Sequence, residues 1–199
     1  MNDRFGFENA IPQNLRESFM WLCQDLADLV TTWDFYKDLF ENKQDRDLLE
    51  KYLLFSVFII EEALMVSITM AICRLNDPEE QQKNRNLSFE VLVKECPDIQ
   101  GLDDLYKNFK NACEPFSLHR NKRFGHRDRK TILGDTDETL PNIRKKEIEE
   151  VIDLATQILN LVGSYFSEYE WCFVSSSCGG AKTLLYWFKK GLESRHLIN

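Results

Sequence analysis

The stretch from His119 to Lys130 reads His-Arg-Asn-Lys-Arg-Phe-Gly-His-Arg-Asp-Arg-Lys, with six basic residues against one carboxylate and two of the chain's three histidines. The whole chain carries a formal net charge of -8, so this is the place where a polyanion would be attracted. A solvated charge run at a helix end is the competing reading. Spacing narrows the chemistry. His119 and His126 are seven apart, which on a helix puts them on one face but about 10 Å from each other. One metal ion cannot bridge that distance, so no metal site is expected from this pair, and no cofactor is expected. Arg120 and His126 are six apart, about 120° around an ideal helix. A long arginine side chain can swing toward the imidazole, and Gly125 permits local distortion. A second copy of the segment, supplied by a dimer partner, could also complete the site.

The elements that must hold this stretch can be read from apolar spacing. Leu15, Phe19, Leu22, Leu26, Leu29, Trp33, Tyr36 and Phe40 advance in alternating steps of four and three, a heptad seam that predicts a long helix in a left-handed bundle. Asp45 to Arg74 predicts a second long helix, apolar almost all round and therefore expected at the centre. Asn76-Asp77-Pro78 ends it. Glu79 to Asn86 reads as a polar loop, and Ser88 as the N-cap of a short helix ending near Cys96-Pro97. The next helix carries Leu102, Leu105, Tyr106, Phe109, Ala112, Cys113 and Phe116 on one face, with Pro115 interrupting or restarting it. The segment Phe116 to Arg127 follows, then a loop from about Arg129 to Asn142. Lys145 to Tyr169 has the cleanest helical period, and Lys182 to Lys190 predicts a short final helix. The expectation is an all-α, up-down bundle of four long helices plus one or two short ones. It forms a single domain over 1–199, with a core at about 15–169 and a C-terminal helical extension over 170–199.

Composition agrees with that class. The 199 residues include 43% hydrophobic and 29% charged residues, enough for a substantial core and an ordinary solvated surface. Eight glycines and five prolines are too few for the many tight turns of an all-β domain. Net negative charge argues against nonspecific nucleic-acid binding over the whole surface, though not against a local basic site. Cys23, Cys73, Cys96, Cys113, Cys172 and Cys178 form no CxxC pair and read as reduced, buried thiols. With no signal-peptide core after Met1, the expected compartment is the cytoplasm. Tyr52 to Cys73 is apolar enough to suggest a membrane span, but Glu61 and Glu62 near its middle favour a buried core helix and no membrane partner.

Arg120-Asn121-x4-His126 resembles the R-x4-6-H motif of the HEPN superfamily (higher eukaryotes and prokaryotes nucleotide-binding domains), in which a polar residue follows the arginine. Arg74-Leu75-Asn76-Asp77-Pro78, with Asn86-Leu87-Ser88 shortly after it, and the run His126-Arg127-Asp128 are similar to the abortive-infection, phage-defence subgroup. The likeness covers about Leu15 to Tyr169. Gly125 stands where that pattern has a small aliphatic residue. The resemblance implies a HEPN-like bundle acting as a metal-independent endoribonuclease toxin, formed by homodimerisation, with RNA as its substrate and an antitoxin or other regulatory partner. It implies catalytic Arg120, His126 and Asn121. Neutral His126 would move the proton of a ribose 2′-hydroxyl or of the leaving 5′-oxygen. Arg120 would hold the phosphate, and Asn121 would orient either group. Lys122, Arg123, Arg127 and Arg129 would track the RNA backbone, and Asp128 would orient His126 or pair with a neighbour. The alternatives are a HEPN-like module that binds RNA or a nucleotide without cutting it, and a structural helical dimer acting through protein contacts.

Other candidates are weaker. Glu61 and Glu62 are adjacent and cannot both face a bundle interior, which speaks against an acid-base pair. Asp77 has a sufficient structural reason as a helix-ending residue. Gly179-Gly180-Ala181-Lys182-Thr183 lacks the glycine spacing and the preceding strand of a phosphate-binding loop. Trp171, Tyr186, Trp187 and Phe188 read as core or dimer packing, with base stacking the lesser reading.

Overall fold

The computed structural model describes residues 10–81, 83–124, 140–167, 170, 173 and 180–195. Among them lie six α-helices: α1 (Gln13–Phe40), α2 (Lys43–Leu75), α3 (Phe89–Glu95), α4 (Leu102–His119), α5 (Lys145–Phe166) and α6 (Ala181–Ser194). Arg120–Phe124 continues α4 as a short π-helical turn. The only described strands, β1 (Glu80–Gln81) and β2 (Asn84–Arg85), pair antiparallel. The all-α class read from spacing holds, with four long helices and two shorter ones. The polar loop expected over Glu79 to Asn86 is a minimal hairpin instead.

The chain forms two compact units. The first takes in residues 1–29 and 69–173. Its core is the α1 seam Leu15, Phe19, Leu22, Leu26 and Leu29, all at most 1% exposed, together with Phe89, Phe109, Cys113 and Phe116 at 0%. Phe89 meets Phe109 edge to face, ring centroids 5.0 Å apart. From α5 come Ile148, Val151, Ala155, Ile158, Leu159 and Val162, the 3.6-residue stripe that the sequence predicts. Gly101 precedes α4 in the left-handed region, at φ +86°, which a glycine adopts without a Cβ penalty. Pro115 neither stops nor restarts α4, which runs through it to His119. Cys113 and Phe116, both fully buried on either side, supply packing that outweighs the missing backbone bond.

The second unit takes in residues 30–68 and 174–199. Leu39, Phe40, Leu49, Val57, Ala181 and Leu185 form its core, with Phe35, Tyr36, Leu64 and Phe188 packed against it. Lys182–Asp38 and Lys189–Asp45 ion pairs tie α6 to the ends of α1 and α2. Tyr36 Oη and Arg46 Nη2 both donate to Glu61, at 3.1 and 3.0 Å.

One expectation is overturned here. The stretch Tyr52 to Cys73 is not a buried central helix throughout: Ile68, Thr69, Ile72 and Cys73 at its end are buried, and the part before them is largely open. α2 is the described helix long and apolar enough to cross a membrane, yet only 17% of its most apolar window is buried. Phe55 is 77% exposed, Leu54 67% and Phe58 62%. The helix is broken at Leu53 (φ -135°, ψ 27°). Between residues 50 and 67 only Val57 is buried, because this part of α2 touches its unit along one narrow stripe. Apolar residues on every side do not say how many sides are covered.

Candidate functional site

Arg120 lies where α2 and α4 of the first unit both end. Asn76 closes α2, its N–H bonding back to the carbonyls of Ile72 and Cys73, and Asp77 bonds to Arg74. The turn into Pro78 is held by Asn86, whose side-chain amide donates to the Pro78 carbonyl at 2.7 Å and whose backbone N–H donates to Glu79 at 2.8 Å. The hairpin is in turn tied to α3. The Glu79 N–H donates to Glu90, and Lys94 bridges Glu79 and Glu90 at 3.0 and 3.1 Å. These bonds present the Asp77 carboxylate to α4.

Arg120 Nη1 donates to Asp77 Oδ1 at 2.5 Å, across 43 residues of sequence. The pair is mostly shielded, with side chains 23% and 19% exposed. Arg120 Nε donates to Asn121 Oδ1 at 3.2 Å. The guanidinium is thus gripped on two sides, and among the described residues its Nη2 meets no acceptor. Nη2 is therefore the arm with capacity for a phosphate oxygen. Nearby is Cys73, whose thiol is pushed up to about 11 by burial, partly opposed by the Arg120 charge and a Ser117 hydrogen bond. A buried thiol of that kind is no nucleophile at neutral pH.

The backbone here is π-helical from Arg120 to Phe124. Such turns are rare and recur at functional sites. Over Arg120–Phe124 they also change the angular step per residue from the 100° of an α-helix. Lys122 and Arg123 lie on this turn, Lys122 half-buried and Arg123 exposed. The Arg123 guanidinium sits 5.3 Å from the Phe124 ring centroid. His126, Gly125, Arg127, Asp128, Arg129 and Lys130 lie outside the described residues, so their expected roles rest on sequence.

His119 has a structural role. It is 8% exposed, and its Nε2 lies 2.7 Å from the Pro141 carbonyl, to which it donates. That bond ties the end of α4 to the segment that enters α5. Arg144 N–H then donates to Glu147 at 2.9 Å and closes the first turn of α5.

The remaining candidates resolve as follows. Glu61 serves the Tyr36–Arg46 network. Lys182, in the glycine-containing GGAKT stretch, pairs with Asp38 at 3.3 Å, and α6 follows Gly180 directly. Tyr186 and Trp187 are 52% and 66% exposed and are not core residues, whereas Phe188 packs on the core of its unit. Cys23, Cys73 and Cys113 are buried free thiols and Cys96 is half-buried, as the scattered spacing implies; Cys172 and Cys178 lie outside the described residues. A groove lined by Asn108, Asn111, Ala112, Glu150, Asp153 and Leu154 is acidic and unsuited to a phosphodiester. No cluster able to hold a metal occurs among the described residues.

The role of Asp77 was missed by sequence reasoning, which treated it as a helix stop. Its place in an Arg-Leu-Asn-Asp-Pro run was the available signal. No curated protein and no solved structure matches the chain. Residues 12–173 match the AbiU2 family of HEPN domains. That span contains α1 through α5, Asp77 and the whole Arg120–His126 motif, and it leaves α6 outside. On this match the chain belongs to the AbiU2 family of the HEPN superfamily.

Proposed function

We propose that this protein is a metal-independent endoribonuclease of phage-defence type, acting in the cytoplasm as a homodimer. The observation that carries the reading is the Arg120 guanidinium, gripped by Asp77 and Asn121 at the start of a HEPN-type motif, with Nη2 meeting no acceptor among the described residues. A guanidinium held on two sides enters the reaction already oriented, so little ordering remains to be done when phosphate binds. His126 removes the ribose 2′-hydroxyl proton. The 2′-oxygen then bonds to phosphorus, and the bond from phosphorus to the 5′-oxygen breaks. A protonated imidazole, from the same or the partner subunit, returns a proton to that 5′-oxygen. The products are a 2′,3′-cyclic phosphate and a 5′-hydroxyl. Lys122, Arg123, Arg127 and Arg129 hold the neighbouring phosphates, and Asp128 orients His126.

The test is incubation of the full chain with tRNA, mRNA and rRNA in EDTA, beside Arg120→Ala and His126→Ala. Cleavage by wild type, lost in both variants together with toxicity on expression, is expected. Undiminished cleavage in either variant sinks the mechanism. RNA binding that both variants weaken, with no cleavage by wild type, assigns the site to binding alone.

A further inference from the structure

Asp77 holds Arg120 in place and also offsets its charge. A phosphate that approaches Arg120 therefore meets a pair whose formal charges sum to zero, in a chain of net charge -8. Drawing a polyanion to that point takes a further cation close by. The end of α2, in the same compact unit, supplies one. Arg74 stands exposed on the last turn of α2, and among the described residues its guanidinium forms no hydrogen bond or ion pair. Burial raises the Asp25 carboxyl on α1, and the Arg74 charge partly opposes that rise without an ion pair forming.

Backbone geometry brings Arg74 to the site. The Asp77 N–H bonds to the Arg74 carbonyl at 3.3 Å, a closure across three residues of 3₁₀ type. Side chains three apart eclipse in such a turn, so residues 74 and 77 emerge on one side of the helix end. Asp77 there holds Arg120. The other carboxylates next to the turn are engaged, Glu79 by Lys94 and Arg85, and Glu90 by Lys94. A basic residue at a helix C-terminus also suits the helix dipole, a purely structural role that the test must separate. Any side chain at position 74 keeps the carbonyl that receives the Asp77 N–H. Substitution there changes the charge and leaves the Asp77–Arg120 pair in place.

We propose that Arg74 binds the RNA phosphate next to the one held by Arg120, so that the strand crosses the end of α2 as well as the basic turn after α4. The assignment rests on the reading of Arg120 as a phosphate-binding group, and it adds a contact from a second helix.

The experiment is fluorescence anisotropy of labelled tRNA and labelled oligouridine, with the full chain carrying His126→Ala so that the probes stay intact. Affinity is measured between about 50 and 200 mM salt, where phosphate contacts show their number. Adding Arg74→Gln is expected to weaken binding about tenfold, as for one charge-assisted hydrogen bond. The slope of log affinity against log salt should fall by about 0.7 on oligouridine, one phosphate contact on a single strand. Arg74→Lys keeps the charge and is expected to keep the slope. Lys107→Gln removes an exposed charge about 20 Å along α4 from Arg120 and is expected to change affinity by less than about twofold. Equal losses in Arg74→Gln and Lys107→Gln reduce the effect to net charge and overturn the proposal. A lower urea midpoint in Arg74→Gln with binding intact marks a helix-end role and also overturns it. Binding that Arg74→Gln leaves unchanged sinks this assignment alone, whereas no binding of either probe before Arg74 is altered sinks the phosphate-binding reading with it.

Discussion

If the Asp77–Arg120 pair joins the end of α2 to the end of α4, the two residues must be energetically coupled. The perturbation is a double-mutant cycle of Asp77→Ala and Arg120→Ala. Exposed ion pairs contribute about 0–1 kcal/mol. Truncating one partner of a fully buried pair costs about 3–5 kcal/mol. At 19% and 23% exposure this pair lies between those limits. A hydrogen bond between charged groups contributes roughly 1.5–3 kcal/mol, so Asp77→Ala is expected to destabilise by about 2 kcal/mol. In a chain of this length that lowers Tm by about 4–8 °C. Asp77→Asn keeps an acceptor oxygen but not the charge, and about half the loss is expected. The assay is urea unfolding followed by circular dichroism on wild type, both single variants and the double variant. A coupling energy of about 1–2 kcal/mol is expected, reduced in high salt. Coupling below about 0.5 kcal/mol, where distant sites already behave additively, would refute the claim that Asp77 positions Arg120.

Two further outcomes test the core and its thiols. Phe109→Ala removes a fully buried ring that packs on Phe89 and is expected to cost about 3–5 kcal/mol, read as a lower urea midpoint with unchanged slope. Burial raises the Cys73 thiol from 9.0 to about 11 and the Cys23 thiol to about 12, and it raises Cys113 as well. The folded state therefore holds these protons when the unfolded chain has released them. Stability from this source is intact below pH 9 and falls as pH rises from 9 toward 12, visible as a declining urea midpoint over that range. At pH 8 these thiols are expected to resist iodoacetamide until the protein is unfolded. A midpoint that rises above pH 9, or rapid labelling of the folded chain, would contradict the burial argument.

Periodicity was legible wherever one face of a helix is buried. The α1 seam from Leu15 to Phe40 and the α5 stripe from Ile148 to Val162 were readable because a helix repeats every 3.6 residues and local spacing records which side avoids water. The same logic failed for α2. Its residues are apolar on all sides, so spacing carried no information about which side, or how much of the helix, meets a neighbour. The motif residues Arg120, Asn121 and His126 were legible as residue types at a spacing, and Lys122 and Arg123 as part of a basic run.

Tertiary structure alone decided what Arg120 touches. Its carboxylate partner lies 43 residues away, on a turn shaped by Asn86 and the hairpin, and no local pattern encodes a contact between two helix ends. It also decided that His119 bonds to the Pro141 carbonyl. Burial and that bond show the His119 ring to be engaged, which its type and spacing did not reveal. Local sequence specifies which segments become helices, because the backbone responds to neighbours a few residues away. Which polar groups converge depends on how distant segments pack, and that is settled only when the chain folds.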